Sequence, residues 1–252
     1  RNVRGLPQKA ARLLEAFMRS LPAEKRTADL YLLLANLYVD IGKSSRAKAA
    51  FRTGARKARR SGNNIQLADI LRKWGYLYLH TNPNLKQAQK LITESVEMIK
   101  QEIGAVVSSN DKEVTRDLFH VTANCYASLG NLEQTKGDLA NAKQAYKEAL
   151  WYADSSGFKE RAVTVLGDLG SIAIVEKDWK KAKRLLTKTR NRAEKYYQHA
   201  LPATLLRLGL LYASLENPRR DPERAKALFR ESLRVARRSG WKREQADALK
   251  AL

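Results

Sequence analysis

One short pattern, an alanine, a large residue four positions on and a small residue three further, recurs five times in this 252-residue sequence. It reads Ala47, Phe51, Gly54; then Ala88, Ile92, Ser95; then Ala142, Tyr146, Ala149; then Ala182, Leu186, Thr189; and last Ala225, Phe229, Ser232. The alanines lie 41, 54, 40 and 43 residues apart. Offsets of three and four put each triplet on one face of a helix, where the small members let a neighbouring helix come close. A second kind of helix precedes each triplet. Tyr31, Leu34, Ala35 and Tyr38 share one stripe, as do Leu71, Trp74, Gly75 and Tyr78, and Leu205, Leu208, Gly209 and Tyr212. Gly62, Gly157 and Gly240 follow periodic runs, where a left-handed residue closes a helix. Pro22, Pro83, Pro202, Pro218 and Pro222 sit between runs or at their starts. No Asn-Gly or Asp-Gly hairpin and no period-two alternation occurs, so the chain is expected to be all-α and built of helix pairs.

These residues resemble the tetratricopeptide repeat family, in particular its variants with repeats of about 40 residues, as in kinesin light chains and the sensor arms of bacterial activators. Leu71-Trp74-Gly75-Tyr78 with Ala88, and Ala35-Tyr38-Gly42-Ala47-Phe51, carry the likeness. The resemblance implies a right-handed α-solenoid, with first helices on the concave side and second helices on the convex side. The expected layout is a helix at 7–20, pairs at 24–60, 64–103, 111–155, 158–197 and 200–238, and a last helix at 241–252, all one superhelical domain over 1–252. Stacking covers the stripe that no pair can bury alone. In the third unit two registers fit, one anchored on Ala123-Tyr126 and one seven residues later on Tyr126-Leu129-Gly130; a lengthened helix from about Asp111 to Lys136 serves either. The chain stops within helical text and starts without Met, which reads as a piece of a longer protein or complex.

Catalytic signatures are absent. His80, His120 and His199 are far apart, and no phosphate-cradling Gly-x-x-x-x-Gly-Lys loop exists. Gly167-Asp168-Leu169-Gly170 falls mid-helix, where its glycines serve close packing. Cys125, the only cysteine, reads as a small buried residue. Trp74, Trp151, Trp179 and Trp241 read as core or inter-repeat packing. We therefore expect a non-enzyme with no cofactor and no metal. The lone cysteine favours a reducing compartment such as the cytoplasm, and no apolar run is long enough to cross a membrane.

The formal net charge of +22 is unevenly spread. Residues 46–60 hold seven cations and no acid, with Arg52, Arg56 and Arg60 at i,i+4; Arg230, Arg234 and Arg238 repeat that spacing. Residues 179–197 hold eight cations, Lys180, Lys183, Arg184 and Lys188 among them, against Glu194 alone. Like charges so placed repel by a few tenths of a kcal/mol per pair, which an anionic partner would relieve. These ten are the candidate anion contacts, on second helices and hence convex. Nucleic acid would be held through its backbone with a steep salt dependence, since no aromatics interleave with the cations. The favoured site is a concave groove holding a protein or peptide segment, an acidic one being among the candidates. Asn36 follows Ala35 and Asn124 follows Ala123; Tyr76 and Ser171 take the matching places, with Arg72 a turn before Tyr76. Each Asn offers a donor and an acceptor to a peptide backbone. A ligand-sensing arm of a larger regulator is the alternative.

Overall fold

The computed structural model describes residues 6–81, 84–107 and 112–252; Pro83, Asp111 and the first residues of the chain lie outside them. Among the described residues there are α-helices and short 3₁₀ turns but no strand. The chain divides into two compact units, residues 1–137 and 138–252.

The first unit contains α1 (Leu6–Ser20), α2 (Ala28–Asp40), α3 (Ser44–Arg60), α4 (Asn64–His80), α5 (Leu85–Val107) and α6 (Lys112–Lys136). Polar caps start several of them: Asn63 accepts from Gln66 N at 2.9 Å and Asn84 from Gln87 N at 3.0 Å. Met18, Tyr38, Phe51, Ile70 and Leu77 form the main core, and a second cluster joins Leu79 and Ile92 to Leu132. Each such side chain contributes about 1.5–3 kcal/mol on burial. The first helices pack on one another, α2 on α4 and α4 on α6, whereas no comparable packing joins α3 to α5 among the described residues. An ion pair spans α3 and α5 instead, Arg59 to Glu94 at 3.1 Å. The first helices thus form the closer-spaced, inner side of this unit.

The second unit contains α7 (Leu139–Ser155), α8 (Lys159–Val175), α9 (Trp179–Tyr196), α10 (Leu201–Ala213), α11 (Pro222–Arg238) and α12 (Lys242–Ala251). Asp138, Asp178 and Asp221 cap α7, α9 and α11, the last with Pro222 in the first turn. Here α8 packs on α10 and α10 on α12, while α9 reaches α11 through Arg190–Glu231 at 3.0 Å and α7 through Arg192–Asp154 at 2.9 Å. The cation excess read in α9 is therefore partly matched by carboxylates from neighbouring hairpins, which linear counting along one helix misses.

The repeated triplet now has a mechanical meaning. In α5, α9 and α11 its large member seats on the glycine of the preceding helix, so closely that a Cβ on Gly75 would lie 2.6 Å from Ile92 Cγ1. A Cβ on Gly170 would lie 2.6 Å from Leu186 Cδ2, and one on Gly209 only 2.2 Å from Phe229 Cε1. The third member faces the same partner helix one turn away, as Ser232 Oγ does in donating to Pro202 O at 2.8 Å. The close-packing role expected of Gly170 is therefore met. Cys125 is buried, as expected. Trp151 departs from its expected packing role: it is 57% exposed, with its ring edge-on to Tyr152 at 4.8 Å on the same helix.

Candidate binding surfaces

The inner face of the first unit is built from α2, α4 and α6, and the register of α6 decides which residues it presents. Gly42 has φ +74° and lies seven residues beyond Ala35; Gly137 has φ +85° and lies seven beyond Gly130; Lys177 has φ 59° and lies seven beyond Gly170. The same helix end recurs at the same offset, so Gly130, buried, is the equivalent of Ala35 and Gly170. The later of the two registers holds. Asn36, Tyr76 and Asn131 are then equivalent in the first unit, and Ser171 and Leu210 in the second. Asn124, expected in that place, sits on α6 two turns earlier. Asn36, Asn124, Asn131 and Ser171 are partly exposed, while Tyr76 is 40% exposed and lies 4.0 Å from His80, ring to ring. Asn131 was missed because the 25-residue α6 admits both readings, and only the position of its end separates them.

Arg72 does not face an open groove. It is 7% exposed and its guanidinium donates twice to Asp69 Oδ1, at 3.1 and 2.5 Å, with Lys73 Nζ 3.4 Å from the other oxygen. Burial alone would raise the Asp69 pKa, but Arg72 and Lys73 together hold it below the usual carboxylate value. In the second unit Arg207 donates to Asp168 at 2.6 Å, joining α10 to α8; there burial prevails and pushes Asp168 up, against the pull of Arg207 and Arg161. The first pair lies within α4 and the second ties α10 to α8, and neither forms a reactive constellation. No group of three His, Cys, Asp or Glu able to hold a metal ion occurs among the described residues.

The ten candidate anion contacts are all exposed: Arg52, Arg56 and Arg60 on α3, Lys180, Lys183, Arg184 and Lys188 on α9, and Arg230, Arg234 and Arg238 on α11. Among the described residues, none of them forms an ion pair within 4.0 Å. Three of them converge. Lys180, Lys183 and Arg184 border a cavity of about 710 Å³ in the second unit, between the start of α9, the end of α10 and the loop that follows it. Its remaining walls are Trp179, Thr187, Leu211, Tyr212, Asn217, Pro218 and Arg219, together with Lys177 and Asp178. The loop is pinned: Asn217 Nδ2 donates to Leu211 O at 2.7 Å, its Oδ1 accepts from Arg219 N at 3.0 Å, and Asp221 N donates to Tyr212 O at 2.9 Å. Arg224 covers the Tyr212 ring at 4.3 Å. Trp179, Tyr212, Pro218 and Arg219 were not expected at an anion site. The available signal was the spacing from Gly209 to Ala225, sixteen residues where Ala35 to Ala47, Gly130 to Ala142 and Gly170 to Ala182 each take twelve.

Residues 28–56 and 123–151 match the model of the tetratricopeptide repeat. The two stretches are equally long, which sets Ala35 against Gly130 and Asn36 against Asn131, the register found from the helix ends. Among solved structures, the chain is similar to the apo form of RapI, with a TM-score of 0.66 and 17% identity over 88% of this chain and 74% of that one. The chain has a tetratricopeptide-like repeat fold. The same fold is seen in a Rap protein complexed with Competence and Sporulation Factor, at a TM-score of 0.62, 15% identity and coverage of 99% and 71%. It is seen again in a signal transduction ATPase with numerous domains, carrying a tetratricopeptide repeat sensor, from Pyrococcus horikoshii. That match has a TM-score of 0.64, 17% identity and covers 98% of the repeat protein but 39% of the ATPase. No curated protein matches the sequence. As a helical-repeat fold it is of a kind consistent with a protein-interaction scaffold, and no helix among the described residues is long and apolar enough to cross a membrane.

Proposed function

We propose that this repeat protein is a non-catalytic scaffold that holds an extended protein or peptide segment along the inner face of its first helices. The observation that carries this is the register of α2, α4 and α6. Asn36 and Asn131 stand at the same position of their helices, with the exposed Tyr76 at that position on the helix between. A carboxamide pairs with both the N–H and the C=O of an extended segment, so two of them in step, with an aromatic ring between, suit a peptide backbone. Ser171 and Leu210 offer a shorter counterpart in the second unit. Peptides selected from a displayed random library against the whole chain supply the probe. Fluorescence anisotropy on Asn36→Ala/Tyr76→Ala/Asn131→Ala should then show at least ~10-fold weaker binding, since each lost hydrogen bond contributes about 1 kcal/mol. Undiminished affinity in that variant, with its helical circular dichroism intact, refutes the reading.

Two observations favour other readings. Similarity to a repeat sensor that makes up part of a larger ATPase favours a ligand-sensing arm, and an effector domain encoded in the same reading frame would support it. The ten exposed cations, without ion partners among the described residues, favour backbone contacts to nucleic acid, which filter binding across a salt series would reveal as a steep loss of retention.

A further inference from the structure

The cavity at the start of α9 lies apart from the inner-face position just described, and it combines two features seldom found together on a solvated face. Its floor is apolar: Leu211 and Tyr212 are buried side chains of the core, and Trp179 packs against the same cluster. Its rim is cationic: Lys180, Lys183, Arg184 and Arg219 are exposed, and none has an ion-pair partner within 4.0 Å among the described residues. The single acid on the wall, Asp178, is engaged in capping α9, where it accepts from Lys181 N at 3.0 Å. Lys177 is matched by Glu216 at 3.0 Å. The backbone of the loop 214–221 is held by the Asn217 hydrogen bonds and the start of α9 by its Asp178 cap, so the floor is in place before binding.

We propose that this cavity docks an acidic peptide segment, seating one large apolar side chain on the Trp179–Tyr212 floor while flanking carboxylates meet Lys180, Lys183, Arg184 and Arg219. The volume, about 710 Å³, suits a side chain and its neighbours. Charge complementarity selects an anionic partner, and the apolar floor selects against one that is anionic alone. A single-stranded nucleic acid is disfavoured because successive bases stack on successive open ring faces, and Arg224 lies over the face of Tyr212, which leaves its remaining atoms as a floor and Trp179 as the one ring for stacking in the cavity. This inference does not depend on the inner-face proposal, which concerns α2, α4 and α6.

The test uses the whole chain and three labelled probes in anisotropy: a peptide with one phenylalanine between Glu and Asp residues, the same peptide with serine for phenylalanine, and a single-stranded oligonucleotide. Two double variants of equal charge change are compared, Lys180→Glu/Lys183→Glu in the cavity and Arg230→Glu/Arg234→Glu on α11. All four side chains are exposed, so both variants should keep the parental helical spectrum. We expect the phenylalanine peptide to bind at least ~10-fold tighter than the serine peptide, to lose ~10-fold or more in the cavity variant, and to change by less than ~3-fold in the α11 variant. Equal losses in both variants would reduce the effect to bulk charge. Equal binding of the two peptides would remove the apolar seat, and an oligonucleotide that binds tighter than the phenylalanine peptide, or no binding at all, would overturn the assignment. The Asn36, Tyr76 and Asn131 variant should leave this binding unchanged, which separates failure here from failure of the inner-face reading.

Discussion

Replacing Gly209 by alanine tests the packing rule on which the repeat rests. An added Cβ would stand 2.2 Å from Phe229 Cε1, 2.6 Å from Cδ1 and 2.9 Å from Cζ, whereas carbon atoms rest at about 3.5–4.0 Å. The ring must therefore retreat by more than about 1 Å, in a core where Phe229 is itself buried. Overpacking of this kind costs about 1–3 kcal/mol, and the better helix propensity of alanine returns about 1 kcal/mol of that. With three ring atoms in conflict we expect a net loss of about 1–2 kcal/mol, or a melting midpoint lowered by roughly 3–7 °C in circular dichroism at 222 nm. Gly104 is the internal control. It lies near the end of α5 with nothing within 4 Å of a built Cβ, so Gly104→Ala should raise stability by a few tenths to about 1 kcal/mol. Combining Gly209→Ala with Phe229→Leu should cost less than the two changes summed, by about 1 kcal/mol or more, because the smaller side chain vacates the conflict. A Gly209→Ala protein that melts at or above the parent, while Gly104→Ala behaves as stated, would show that Phe229 does not seat on Gly209.

Asp69→Asn should destabilise the protein by about 3 kcal/mol at pH 7 by leaving Arg72 buried without its carboxylate. The folded pKa of Asp69 is depressed, so this contribution is present above its unfolded value of about 3.9 and lost as pH falls through the folded one; urea titrations should show the gap between parent and variant closing below pH ~4. Lys177 holds φ 59° at a helix end where Gly42 and Gly137 take the same conformation, so Lys177→Gly should stabilise by up to about 1 kcal/mol, reduced slightly by loss of the exposed Glu216 pair. A midpoint unchanged or lowered in thermal melts would contradict that strain.

How much of this was legible in the sequence can be followed residue by residue. The triplets ending in Gly54, Thr189 and Ser232 predict helix pairs because one face must carry small and large members at fixed offsets. The stops at Gly62, Gly157 and Gly240 are local as well, and each has positive φ. Arg72 was misplaced because periodicity assigns a residue to a turn of helix and cannot tell whether an acid three positions back draws it inward. Asn124 was chosen over Asn131 because both lie on one face of a long helix, two turns apart. Trp151 belongs to the same class of error: its helix is right, but whether a neighbour covers that face depends on stacking. The cavity at Trp179 draws on α9, α10 and a loop some forty residues on, so no window of sequence contains it.

What the chain's own text decided was everything set by offsets within about a turn or two: the helical class, the pairing, the caps and the small residues at which helices meet. These follow from local sterics and from the period of the α-helix, which act identically wherever a segment finds itself. The tertiary structure alone decided which charges are neutralised across hairpins, which polar residues share a register on the inner face, and where exposed cations gather over an apolar floor. Those properties depend on which surfaces are excluded from water when one hairpin lies against the next, and that is settled between segments far apart in the chain.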